Sequence, residues 1–139
     1  MKLSIENFKS IRKLHQFEIQ PFTVLSGVNN AGKSSFLQLL LLLKQTLEKS
    51  STEAVFSEVG DYYSIKNSID VFYAKDEKNK ILFGLKFNKY EFKDIDIPQL
   101  GESEYEVDVL IKFLHNSEKI IVSDFEVKIN ILVVKRKTL

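Results

Sequence analysis

Two glycines, a lysine and a serine stand at fixed offsets in Gly27-Val28-Asn29-Asn30-Ala31-Gly32-Lys33-Ser34, completing the pattern G-x-x-x-x-G-K-[ST]. The chemistry this spacing supports is the holding of a chain of phosphates. Glycines let consecutive backbone N–H groups turn inward around phosphate oxygens, with the positive end of a following helix behind them. Lys33 then sets its ammonium against the β and γ phosphates, and the Ser34 hydroxyl ligates Mg²⁺, a hard cation that takes oxygen donors and keeps several waters. Ser35 is the next hydroxyl, in reach of the α phosphate. Asn29 and Asn30 suit the loop because Asn tolerates left-handed backbone, and either amide can address γ-phosphate oxygens or an attacking water. The expected contact set is therefore Gly27, Asn29, Asn30, Ala31, Gly32, Lys33, Ser34 and Ser35, with Ser34 as the Mg²⁺ ligand. The bland alternative is a glycine turn capping an ordinary helix.

A phosphate loop needs a strand to deliver it and a helix to receive it. Phe22-Thr23-Val24-Leu25 reads as a short buried strand, and Lys33 to Lys49 contains no Gly or Pro and reads as a helix. That helix carries Phe36, Leu37, Leu39 to Leu43 and Leu47, apolar around nearly its whole circumference, so the pattern predicts a central, largely enclosed helix of roughly 25 Å. Two short strands are predicted earlier, from the alternation in Lys2 to Phe8 and around Phe17 and Ile19. After the polar run Ser50 to Glu53, Val55 to Tyr63 reads as a short strand or turn entering a loop. The rest reads as β: Ile69–Tyr73, Ile81–Phe87, Tyr105–Leu114 and Lys119–Val134, with Asp76–Asn79 and His115–Glu118 as hairpin turns. In the last run Ile121, Phe125, Val127, Ile129 and Ile131 share one face at period two, as in an antiparallel sheet half open to solvent.

The chain has 139 residues, 44% of them hydrophobic, which is enough for a real core and most simply one domain over residues 1–139. Residues 1–50 carry the loop and central helix, and 51–139 the β-rich remainder. A dense run of acids between Tyr90 and Asp108, broken by Pro98 and Gly101, reads as a solvated, flexible connection; it lacks the spacing of a calcium loop. Cys is absent, which removes disulfides and thiolate metal sites and suits a cytoplasmic protein. A net charge of +1 gives no basic footprint for nucleic acid, and Lys135-Arg136-Lys137 reads as a solvated terminus. The longest unbroken apolar run, Leu39 to Leu43, falls far short of the ~20 residues that span a bilayer, and no signal peptide opens the chain.

Other catalytic patterns are missing. The two histidines, His15 and His115, stand apart from each other in turn or strand-end contexts, and neither a G-x-S-x-G elbow nor H-E-x-x-H occurs. Asp124 ends the apolar run Ile120-Ile121-Val122 but has Phe125 rather than Glu beside it, and alternation puts it on the polar face of its strand.

The segments Met1-Lys2-Leu3-Ser4-Ile5-Glu6-Asn7-Phe8-Lys9-Ser10 and Pro21 to Gln38 resemble the N-terminus of ABC-type ATPase heads of the SMC, RecF and OLD-like branch. The leucine run and Glu58-Val59-Gly60-Asp61-Tyr62 look closest to bacterial predicted ATPases of that kind. The strong similarity covers the first 50 or so residues. It implies an α/β (α+β) fold, the N-terminal lobe of a P-loop NTPase with one central helix and a largely antiparallel sheet. It implies ATP and Mg²⁺ as ligands, places Lys9 and Ser10 near the nucleotide, and suggests a head-to-head homodimer in a complete head, with DNA repair, chromosome organisation or phage defence as the family's settings. Nucleic acid enters only through that resemblance. Such heads hydrolyse ATP with a strand ending Asp-Glu and a Ser-Gly-Gly signature, and neither is found here. The expectation is an ATP-binding lobe whose hydrolysis needs a C-terminal half or a partner chain. Two alternatives stand beside it: a non-hydrolysing interaction module with a structural loop, and a small self-contained P-loop kinase or GTPase.

Overall fold

The structure, a computed structural model, describes residues 1–29, 31–49, 56–91, 100, 103–116 and 119–132. Among these residues five strands form one sheet: β1 (Lys2–Glu6), β2 (His15–Glu18), β3 (Ile81–Asn88), β4 (Glu104–Asn116) and β5 (Lys119–Leu132), in the spatial order β2-β1-β3-β4-β5. Every pairing is antiparallel. One face of the sheet packs on α1 (Lys33–Glu48), the one α-helix among the described residues.

Period-two alternation builds the core. Leu3 and Ile5 on β1, Ile81 and Phe83 on β3, and Phe113 on β4 point to the face that α1 covers with Phe36, Leu39 and Leu42. Phe8, Ile11, Val71 and Phe72 extend this core towards the phosphate loop. A smaller cluster of Phe87, Tyr105 and Val107 closes the far end of the same face. The opposite face mixes apolar residues such as Leu82, Leu110 and Ile121 with charged ones; on it Lys86 pairs with Glu106 at 2.9 Å and Asp108 at 3.5 Å.

Two polar side chains, buried Gln45 and partly buried Thr46, tie the segment after α1 back to the helix. Gln45 donates to the Ser57 carbonyl at 2.5 Å and accepts from the Tyr63 amide at 3.1 Å, while Thr46 Oγ1 accepts from the Ser57 amide at 2.9 Å. Gly60 is required here, because a Cβ on it would stand 2.7 Å from Gln45 Oε1.

Several expectations are corrected. Phe22–Leu25 is not a strand, and Phe22 and Val24 are 85% and 71% exposed. A strand that delivers a phosphate loop sits in a parallel sheet, and no described strand runs parallel to this segment to accept its hydrogen bonds. Helix α1 is enclosed on one face only: Leu37 and Leu47 are 53% and 84% exposed. Leu40, Leu43 and Leu47 border an open apolar groove of about 710 Å³ between the helix and Phe83, Ile111 and Phe125 of the sheet.

Ile69–Tyr73 forms 3₁₀ turns (Ser68–Val71 and Tyr73–Lys75) instead of a strand. The Asn67 side chain caps the first by accepting from the Ile69 amide, and left-handed Ala74 and Lys75 end any extended run. The turn at Asp76–Asn79 leads from these into β3 and joins no hairpin. Ile121 lies across the sheet from Phe125, because a bulge at Ser123 inserts one residue and sets Val122 opposite Phe113 and Phe125 opposite Ile111. Ile120 and Val122 therefore share the apolar face. The strands expected at 81–87 and 105–114 are present, and the one expected at 119–134 is present over its described residues, 119–132.

Most of the acidic connection, the polar run 50–53, half of the 115–118 turn and the basic cluster 135–137 lie outside the described residues. Among the described residues no helix is long and apolar enough to cross a membrane.

Candidate functional site

Helix α1 begins at Lys33 with Gly32 as its N-cap, in left-handed conformation at φ +91°, and Gly27 at the other end of the loop has φ +146°. Both are conformations that side-chain-bearing residues rarely adopt. Gly32 also sits against the segment after β1: a Cβ on it would stand 3.3 Å from Ile11 Cγ1 and 3.6 Å from Ser10 Oγ. The short turn in which Phe8 and Ile11 exchange backbone bonds, at 2.9 and 2.8 Å, holds that segment in place. Buried Ile11 thus fixes the height of the loop over the core, a role that no motif in the sequence marks.

The electrostatics of the helix start are unusual for an isolated helix. No side chain caps it, no acidic residue lies in its first turn, and a lysine does. Acidic groups normally favour this end and cations disfavour it, so the arrangement leaves the positive pole uncompensated. Lys33 bends back over the loop and donates to the carbonyls of Gly27 and Val28, each at 2.7 Å.

Ser10, Asn29, Gly32, Lys33, Ser34 and Ser35 line one cleft of about 650 Å³. Ser10 Oγ and the largely buried Ser35 Oγ share a hydrogen bond of 3.0 Å, linking the segment after β1 to the first turn of α1. The structure thus brings together six of the ten expected residues. Gly27 contributes its carbonyl to Lys33, and the Ala31 amide donates to the Val28 carbonyl at 3.3 Å, closing the loop on itself. Asn30 lies outside the described residues.

Lys9 is not brought to the cleft. Its backbone takes the left-handed conformation, and its ammonium donates to Gln38 Oε1 at 2.6 Å and Tyr63 Oη at 2.7 Å, resting 4.7 Å from the centre of the Tyr63 ring. It ties the turn after β1 to the flank of α1.

The donor set fits a magnesium nucleotide. Backbone amides at the helix start and one ammonium match phosphate oxygens, and the exposed Ser34 hydroxyl is the hard oxygen that Mg²⁺ accepts. Among the described residues, no group of three or more His, Asp or Glu is placed to hold a metal by itself. Asp124 stands on the polar face at β5, bonded to Ser123 Oγ at 2.9 Å and paired with Lys80 at 3.4 Å.

No curated protein matches the sequence. A family model described as an AAA ATPase domain matches residues 1–138, almost the whole chain. With the sequence pattern G-x-x-x-x-G-K-S at the head of α1, this chain belongs to the AAA ATPase domain family.

Proposed function

We propose that this chain is the ATP-binding N-terminal lobe of an ABC-type head of the SMC, RecF and OLD-like branch. The observation that carries the proposal is a helix start with no cap and no acidic residue, but with a lysine folded onto the loop in front of it. An anion is the missing complement to that charge. Gly27, Ala31 and Gly32 shape the amide nest, joined by Asn29 and Asn30; Lys33 binds the β and γ phosphates and Ser34 holds Mg²⁺. Ser35 stands at the α phosphate, and Ser10 buttresses it through the 3.0 Å bond.

Hydrolysis, on this reading, is completed by a C-terminal half or a partner chain that supplies the acidic strand and the signature. The exposed Phe22 and Val24 support it: among the described residues, no parallel strand stands beside this apolar run leading into the loop. A complete head then closes as a homodimer around two ATPs, in the cytoplasm. Titrating Mg-ATP into the purified chain while following nucleotide binding and phosphate release tests the proposal. Binding that depends on Lys33, with ATP recovered intact, is the expected result; absence of binding removes it.

A further inference from the structure

We infer that β5 pairs edge to edge with β5 of a second copy of this chain, in an antiparallel register centred on Val127. Strand β5 is the outermost strand of the sheet, and among the described residues only β4 pairs with it. Beyond the bulge it presents a long regular edge whose outward backbone groups pair with no other strand among the described residues and can template a further one. Phe125, Val127, Ile129 and Ile131 along it are 45–63% exposed on the face that carries the core.

Charge selects the partner and the register. In a two-fold pairing centred on Val127, Glu126 of each copy faces Lys128 of the other on the polar side, and Asp124 faces Asn130. On the apolar side Phe125 faces Ile129, and Val127 faces its own copy. Moving the centre by one residue sets Glu126 against Glu126 or Lys128 against Lys128, and moving it to Phe125 sets Asp124 against Glu126. Like charges directly opposite one another are destabilising in a sheet, and along the edge beyond the bulge the Val127 register alone sets opposite charges face to face without any like-charge pair. Such an interface is self-complementary, as a two-fold dimer requires.

This pairing is separate from any closure around nucleotide and does not rest on the function proposed above. The phosphate loop follows β2 at the other edge of the sheet, four strand spacings of ~4.8 Å away, or roughly 19 Å. The paired molecule is a continuous sheet whose two loops lie at its outer ends, each free to engage a further partner.

The nucleotide-free chain provides the test, by sedimentation and by cross-linking. Sedimentation should show a species of twice the 16.1 kDa chain mass. Glu126→Lys or Lys128→Glu alone should weaken it about tenfold, because each replaces two attractive pairs by two repulsive ones, and the double charge swap should restore it. The chain has no Cys, so Val127→Cys should form a covalent dimer on mild oxidation, its Cα atoms facing each other at ~4.5–5.5 Å. Ile131→Cys, equally exposed, should not, since its two copies would lie about 27 Å apart along the strands. A chain that stays monomeric, a double swap no tighter than the single changes, or equal cross-linking from both cysteine variants overturns the inference.

Discussion

Replacing Lys33 by Ala separates a ligand-binding lysine from a structural one. In the ligand-free chain the ammonium makes two bonds of 2.7 Å to Gly27 and Val28, both exposed. Exposed charged contacts contribute ~0.2–1 kcal/mol, while a cation in the first turn of a helix costs about 0.3–1 kcal/mol, so the two nearly cancel. The ligand-free melting temperature should therefore move by no more than about 2–3 °C. With Mg-ATP at about 100 times its Kd, the native chain gains ~2.7 kcal/mol of stability. At ~2.1 cal/mol/K per residue over the chain, that is a rise of about 9 °C. Loss of the charged bonds to phosphate costs ~1.5–3 kcal/mol of binding, or about 10- to 150-fold in Kd. At the same nucleotide concentration the variant then gains only ~0.3–1.3 kcal/mol, a rise of about 1–4 °C. Differential scanning fluorimetry with and without Mg-ATP reads both quantities. Equal rises in the two proteins would show that Lys33 does not hold the phosphates. A ligand-free drop well beyond about 5 °C would show that Lys33 serves the fold instead.

Gly32→Ala forces a side chain into a left-handed position against Ile11, at a cost of about 1–3 kcal/mol, so thermal melts should fall by several degrees and Mg-ATP protection should weaken; an unchanged melt would argue against this loop geometry. Gln45→Leu leaves the Tyr63 amide and the Ser57 carbonyl without their partner and should lower stability by about 1–3 kcal/mol in urea unfolding, with nucleotide Kd unchanged. Asp124 has its acidity strengthened first by the bond from Ser123 and then by Lys80, against desolvation, which holds its carboxyl below the usual range. Its stabilising contribution is complete above the ordinary carboxylate range and is lost as pH falls through the lowered value. An NMR titration should find that lowered midpoint, and Ser123→Ala should raise it towards normal.

The parts of the site that depend on local spacing were legible in the sequence, and those that depend on distant segments were not. Gly27 to Ser34 and the helix after it follow from offsets within a single turn. The contact between Ser10 and Ser35 joins residues 25 positions apart and could be expected only through resemblance. Lys9 shared that resemblance but is drawn away by Gln38 and Tyr63, partners that no local pattern announces. The strands of 81–88 and 104–132 were visible because each alternates on its own. Phe22–Leu25 has the composition of a strand but lacks a neighbour, and strand formation is a property of pairs. One extra residue at Ser123 moved Ile121 to the other face, since period-two reasoning carries no memory across a bulge. The half-open α1 had the same cause: the sequence showed leucines all round, but not what stands beside each of them.

On the function proposed here, this chain holds Mg-ATP at Gly27–Ser34 without activating the water that would cleave it. Equilibrating the purified chain with Mg-ATP, then assaying the same sample for bound nucleotide and for released inorganic phosphate, tests both halves at once. One ATP bound per chain and recovered intact is expected, with binding much weakened in Lys33→Ala. No binding, or phosphate release that Lys33→Ala abolishes, would contradict it.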